Sequence, residues 1–389
     1  MKKKIMLIFS LVFIFIVVVC CCACTGNSDD TGITPSAKAV EKKMITITDG
    51  TGREVTVPES PEYVICSGPG CLRYLTYLQQ QDKIVGVDDM EKNLQRFEAR
   101  PYAIANPWFR TDDELGLIGE FRGHDNPELI VSLDPQPDVI FKTYATSGYN
   151  PDELQEKTGI PVVTLEYGNL GAYRDDMYNS LRLMGKIMGA QDRAEEVIGF
   201  FDENIADLNN RTSDISEDDK KTVYVGSIAH KGPHGFQSTE PGYPPFMFIN
   251  AKNVAYSEKD GKVIPYADVA KEKIIEWDPE ILFLDLSTLQ SGDDMSGLYE
   301  LRNDESYQTL SAVKKGDVYG VLPYNWYTTN HGNVLADAYY IGTVVYPDRF
   351  MDIKPDKKAD EIYEFLVGAP VFEQMNSAFD NLAFIRLSV

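Results

Sequence analysis

The sequence predicts an α/β protein of two similar lobes, each built on a parallel central sheet and joined by one long helix. Three observations carry this. A phrase occurs twice, from Glu128 to Phe141 and from Glu272 to Phe283, and in both copies a glutamate stands six residues before an Asp-Pro. Around each copy, short apolar runs alternate with amphipathic helical stretches, the pattern of a parallel sheet. Between the copies, residues 192–211 carry Ala194, Val197, Phe201, Ile205 and Leu208 on one helical stripe. Such a helix spans about 30 Å, roughly a small domain, and a phrase repeated about one domain apart marks two similar units.

Length and composition fit that reading. A chain of 389 residues, 43% hydrophobic and 25% charged, can bury more than one core. Its formal net charge of −23 argues against nucleic acid or an anionic lipid surface as a partner for the body.

The N-terminus reads as a leader. Lys2 to Lys4 are positive, Ile5 to Val19 is apolar apart from Ser10, and Cys20 to Cys24 holds four of the six cysteines. Ala23-Cys24 before Thr25-Gly26 resembles a lipobox, with Cys24 as the lipidated residue; the alternative is an uncleaved single-span anchor. Either way the body lies outside the cytoplasmic membrane and is tethered to its outer face. The expected boundaries are 1–24 for the leader, 25–43 for a flexible tether and 44–190 for the N-terminal lobe. The connecting helix follows at 191–212, then the C-terminal lobe with its closing helices at 213–389.

The elements follow in order. Met44 to Val57 alternates around Asp49-Gly50-Thr51-Gly52 and reads as a hairpin. Tyr63 to Cys66 is a central strand, 67–70 a loop, 71–80 a helix and Ile84 to Val87 a strand ending at Asp88-Asp89. Residues 90–120 read as irregular. Each copy of the phrase is a short helix, stopped where Asp-Pro disfavours the α region, then a strand buried on both faces. A helix at 151–158 and a strand at 161–165 close the first unit. Helices follow at 172–188 and 192–211, then a strand at 220–225, a loop at 226–245 and a short helix near 245–250. After the second copy come a strand at 317–322, a loop at 323–331 and helices at 333–346 and 356–366. Cys66 and Cys71 read as two small buried thiols, with a disulfide left open by an oxidising compartment.

Ligands of open α/β sheets sit outside the carboxyl ends of the strands. In the first unit those positions hold Arg73, Asp88, Tyr144 and Tyr167, with Arg122 and His124 just before the phrase. In the second they hold His230, Lys231, His234, Asp285, Tyr324, Trp326, Tyr327 and His331. Aromatics packed as densely as in 324–331 mark a recognition surface, or else a loop folded back on the core. Arg73, Arg122 and Lys231 offer positive charge to an anionic ligand, or are solvated surface cations. No Walker loop, Gly-x-Ser-x-Gly or His-Glu-x-x-His is present, so no enzyme pattern stands.

Several stretches together resemble one family. They are Ile47 to Pro58 with Pro61 to Ile65, Leu183 to Gly189 with Ala194 to Glu196, and both copies of the phrase. The chain resembles, over about residues 45–350, the substrate-binding lipoproteins of ABC importers of the iron-siderophore and cobalamin type, the class with a helical backbone. The resemblance implies a shallow cleft between the lobes, small closure about one rigid helix, and no enzymatic activity. It implies a monomer without a cofactor that takes a ferric chelate and passes it to a membrane permease with a cytoplasmic ATPase. One glutamate on each lobe docks on permease arginines in that family, and the matching positions are Glu128 and Glu272. Without that role the pair would serve as helix N-terminal carboxylates, each worth about 0.3–1 kcal/mol.

The ligand loops of the family vary and transfer no residues. Cobalamin, an oxyanion such as molybdate or tungstate, and a free metal ion remain alternatives. The metal candidates are His124, His230, His234 and His331 with Asp285 or Asp88. Aromatic and cationic residues suit a larger anionic ligand better. An extracytoplasmic metal-site or chelatase-like enzyme is the reading from another class.

Overall fold

A computed structural model describes residues 42–93, 95–292 and 295–389, so Cys24 and the leader lie outside the described residues. Residues 42–389 form one compact unit. Two parallel sheets organise it. The first has five strands in the spatial order Gly116–Leu117, Ile84–Val87, Val64–Ser67, Val139–Thr143, Val162–Leu165. The second has four, in the order Lys252–Asn253, Thr222–Gly226, Ile281–Asp285, Val318–Val321. The strands of the two phrases, 139–143 and 281–285, are buried at every residue. Their apolar runs therefore lack the alternation of a half-exposed strand.

The hairpin of Met44–Thr48 and Glu54–Pro58 is antiparallel. Its turn is fixed by Asp49, whose carboxylate accepts the N–H groups of Thr51 (3.1 Å), Arg53 (2.9 Å) and Thr164 (3.2 Å). Lys42 and Lys43, assigned to the tether, already touch the body: Lys42 pairs with Asp138, and Lys43 with Glu59 at 2.7 Å.

The long helix spans Gln191–Asn210 and follows a helix at Arg174–Met188. It buries Ala194, Val197, Ile198, Phe201, Asn204 and Leu208, whereas Ile205 of the expected stripe is half-buried. Its neighbours include Arg174–Met188, Pro244–Phe248 and His331–Val345. Tyr339 of the last of these donates its hydroxyl to Asn204 (3.0 Å) and Asp207 (2.9 Å). The closing helices Pro355–Val367 and Phe372–Ala378 return to Pro101–Ala105.

The phrase helices are Pro127–Val131 and Lys271–Trp277, with Glu128 and Glu272 each at the second position. The second ends at Asp278, before Pro279, but in the left-handed region (φ 39°) and not in an extended one. The first stops earlier, at Ser132. The described residues between 90 and 120 hold more regular structure than their sequence suggests. They hold helices at Pro101–Ala105 and Trp108–Thr111 and the edge strand 116–117. Buried Arg100 organises this stretch by pairing with Glu91 (3.0 Å) and Glu98 (2.7 Å), and no periodicity announces such a pairing. The 226–245 loop contains a strand, Ser238–Thr239, paired with Ala267–Asp268.

Candidate functional site

The carboxyl ends of the first sheet meet the aromatic loop that follows strand 318–321. Arg73, on helix Cys71–Tyr77, is 1% exposed. Its Nη1 donates to the Tyr167 hydroxyl and to the Thr329 carbonyl (2.8 Å); Nη2 donates to the carbonyls of Trp326 and Tyr327, both at 3.3 Å. Its Nε has no partner, and among the described residues Arg73 makes no ion pair with a carboxylate. Arg100, equally buried, has two. The rings around Arg73 are Tyr102 and Tyr167, at 5.0 and 5.7 Å. Tyr167 in turn stacks on Tyr74 (4.8 Å) and His331 (5.4 Å).

The loop itself bridges the two sheets. Tyr327 donates its hydroxyl to Asp88 and accepts the Arg122 N–H at 3.0 Å. Tyr144 and Thr328 share a hydroxyl hydrogen bond of 2.6 Å, and Tyr167 donates to the Thr329 carbonyl at 2.7 Å. Asn325 reaches the Ala229 carbonyl at 2.7 Å, and Tyr324 donates to Glu240. Tyr327 and Thr328 adopt positive φ, 50° and 66°. A β-branched residue there is sterically unfavourable, so the surrounding bonds hold the loop in a strained shape.

Burial and charge set the protonation of this junction. Burial, then the charge of Arg73, lowers the His331 imidazole to about 3, so it is neutral. Its Nε2–H donates to the Gly168 carbonyl at 3.1 Å, which leaves Nδ1 unpartnered. Burial, then Glu91, raises Asp88 to about 7; burial raises Glu240 to about 8 and Asp285 to about 7. Unfolded carboxyls ionise near 4. From about pH 8.5 to 6.5 the folded chain therefore binds protons that the unfolded chain does not, and stability rises as pH falls. His331 acts the other way. Its contribution is complete above about pH 6.5 and is lost towards pH 3. Urea midpoints should be higher at about pH 6.5 than at about pH 8.5; equal or lower midpoints contradict three buried, protonated acids.

Beside this junction lies an exposed rim. Arg122, Tyr144, His230 and Lys231 are exposed and His234 is half-buried. His230 stacks on Tyr266 at 4.1 Å, and the His234 ring lies 5.8 Å from the same tyrosine. The His234 Nε2 donates to the His230 carbonyl at 2.7 Å. On the first sheet's side the Arg122 turn is anchored from beneath by buried Lys142. Its Nζ donates to Asp125 (2.6 Å), Gly123 O (3.0 Å) and Ser67 Oγ (3.2 Å).

The structure thus brings Arg73, Tyr144, Tyr167, Trp326, Tyr327 and His331 together, and places Arg122 at their edge. Tyr324 is committed to Glu240 beside the turn that carries His230 and Lys231. His124 lies elsewhere, lining a cavity of about 850 Å³ with Glu128. The four histidines do not converge. Among the described residues no three His, Cys, Asp or Glu side chains form a metal-holding group. Asp285 is buried, with Oδ1 accepting the Ser287 N–H at 2.8 Å and Oδ2 unpartnered. Cys66 and Cys71 are free, buried thiols.

Sequence reasoning missed Lys142, Tyr102 and Tyr266. A lysine closing the apolar run Val139 to Phe141 was a readable signal, because a buried cation at a strand's carboxyl end needs a partner. Tyr266 gave none.

The chain is similar to known binding proteins along most of its length. It is 20% identical to the ABC transporter substrate-binding lipoprotein YvrC of Bacillus subtilis, covering 84% of this chain and 93% of that one. It is 24% identical to the iron(3+)-hydroxamate-binding protein FhuD of the same species, covering 79% and 87%. Its fold is that of the molybdate-bound periplasmic protein MolA of Haemophilus influenzae, with a TM-score of 0.61 at 21% identity, covering 84% of this chain and 98% of that one. Residues 64–324 match the periplasmic binding protein family, and the chain belongs to it.

Proposed function

We propose that this chain is the extracytoplasmic binding component of an ABC importer, tethered through a lipidated Cys24, and that it captures a ferric chelate of the siderophore kind. The observation that carries the ligand class is the Arg73 guanidinium. It is buried where the two sheets' loops meet, ringed by tyrosines, and held only by carbonyls and a hydroxyl. A buried cation without a carboxylate is costly, and an anionic ligand relieves that cost. Three of its partners belong to the strained loop 326–329, which can yield to a ligand. Around it, Arg122 and Lys231 add exposed charge, and Tyr144, His230 and His234 add ring faces for the body of a chelate.

The likeness to an iron(3+)-hydroxamate-binding protein supports the same class. A small oxyanion is the second reading, favoured by the close enclosure of Arg73. Delivery follows docking of Glu128 and Glu272 on cations of the permease, which works with its cytoplasmic ATPase. Tryptophan emission tests the ligand: Trp326 packs in the loop that yields, so ferric chelates should quench saturably. A flat titration contradicts the reading.

A further inference from the structure

Two thiols lie beside the Arg73 junction and take no part in holding its loop. Cys66 belongs to strand Val64–Ser67 and Cys71 opens helix Cys71–Tyr77, with only residues 67–70 between them. The other four cysteines of the chain fall within 20–24, so each of these two has the other as its one partner in the body. Both are free and buried, at 6% and 0% exposure, and they share a side-chain hydrogen bond. Two sulfurs in hydrogen-bond contact across a short turn need only a small shift to reach bonding distance.

The turn between them is clamped against the site. Gly68 and Gly70 take left-handed φ, 85° and 77°. A Cβ on Gly68 would stand 2.7 Å from the Thr143 carbonyl oxygen, and one on Gly70 would run into the Tyr167 ring. Thr143 Oγ1 donates to the Pro69 carbonyl at 2.9 Å, and Ser67 Oγ accepts from Lys142 Nζ at 3.2 Å. Tyr167 in turn accepts from Arg73 through its hydroxyl. Fixing the turn therefore fixes the floor on which Tyr167 and Arg73 rest.

We propose that Cys66 and Cys71 are closed into a disulfide in the exported protein, and that this bond braces the turn. The proposal rests on the extracytoplasmic placement above, which supplies an oxidising compartment. The oxidant is itself a disulfide, carried by a thiol oxidase or a small thiol couple. The exchange balances: two S–H bonds and the oxidant's S–S bond break, the Cys66–Cys71 bond forms, and two electrons and two protons leave with the oxidant as two thiols. Exchange needs a thiolate, and burial, followed by the hydrogen bond to Cys71, holds the Cys66 thiol well above its ordinary range. The bond therefore forms while the chain folds, before helix 71–77 packs, and burial then shields it from reductant. Closing the loop also removes freedom from the unfolded chain.

The test expresses the full chain with its leader, quenches the cells in acid and treats the denatured protein with N-ethylmaleimide. Both cysteines lie on one tryptic segment, Glu54 to Arg73. That segment should be lighter by two hydrogens and carry no adduct, and should take two adducts once reduced. Two adducts without reduction overturn the proposal. Protease added to intact protoplasts reads location separately. If the chain is shielded, the extracytoplasmic placement fails, and the bond is decided by the purified chain refolded from urea in a glutathione buffer of extracytoplasmic poise, where a surviving dithiol overturns it. The oxidised chain should show a urea midpoint higher than the reduced chain by roughly 0.5 M, a difference absent in Cys66→Ala with Cys71→Ala. An equal or lower midpoint overturns the brace.

Discussion

Lys142→Met destabilises the chain by about 3–5 kcal/mol, the usual result of leaving one member of a buried ion pair alone. Lys142 and Asp125 are fully or almost fully buried, at 0% and 2% side-chain exposure, and 2.6 Å apart. The same Nζ also satisfies the Gly123 carbonyl and the Ser67 hydroxyl, so the methionine variant strands an acceptor on three elements. Removing both charges, with Asp125→Leu added, should recover much of the loss, because an apolar pair of similar volume is often tolerated. Urea denaturation reads both variants. A loss below about 1 kcal/mol in Lys142→Met would show that the pair is not buried as described. The position matters for function because Gly123 lies between Arg122, at the rim, and His124, in the cavity beside Glu128.

Charge reversal at both Glu128 and Glu272 abolishes uptake while leaving ligand affinity unchanged. Both side chains are exposed at the second position of a helix, away from the Arg73 junction. Reversal there removes a favourable dipole interaction of about 0.3–1 kcal/mol each, too little to unfold the chain. If the glutamates dock as proposed, an arginine at each position would face the partner's cations, and like charges across an interface cost several kcal/mol. Cellular uptake of radiolabelled ferric chelate, measured beside binding by the purified double variant, separates the two effects. Normal uptake would refute docking through these residues.

The framework was legible because it rests on periodicity. Buried strands at 139–143 and 281–285 and the helix 191–210 follow from apolar runs and a helical stripe, which the sequence displays directly. The helix starts at Glu128 and Glu272 were legible for the same reason. The site was legible by residue type but not by arrangement. Arg73, Tyr167 and His331 could be picked out as following strands or as part of an aromatic loop. That Tyr167 stacks on His331 across more than 150 residues of chain, with Arg73 bonded to the Tyr167 hydroxyl, depends on how the loop 324–331 folds over the first sheet. His124 shows the limit. Two residues from Arg122, it lines the cavity beside Glu128, because Arg122 sits in the preceding turn with a positive φ of 62° and His124 opens the short strand His124–Asp125. Lys142, closing the apolar run of its strand, was readable as a buried cation, but its partner Asp125 lies on another element, and nothing in the sequence pairs the two.

Binding of a ferric chelate at the proposed Arg73 site is read by titrating the purified protein with a ferric hydroxamate, the same chelator without iron, molybdate and zinc, and following tryptophan emission and heat. Saturable binding of the ferric chelate is predicted, with weaker binding of the iron-free chelator and a loss of about tenfold or more in Arg73→Met. Stoichiometric binding of zinc or molybdate with no response to any ferric chelate would contradict it.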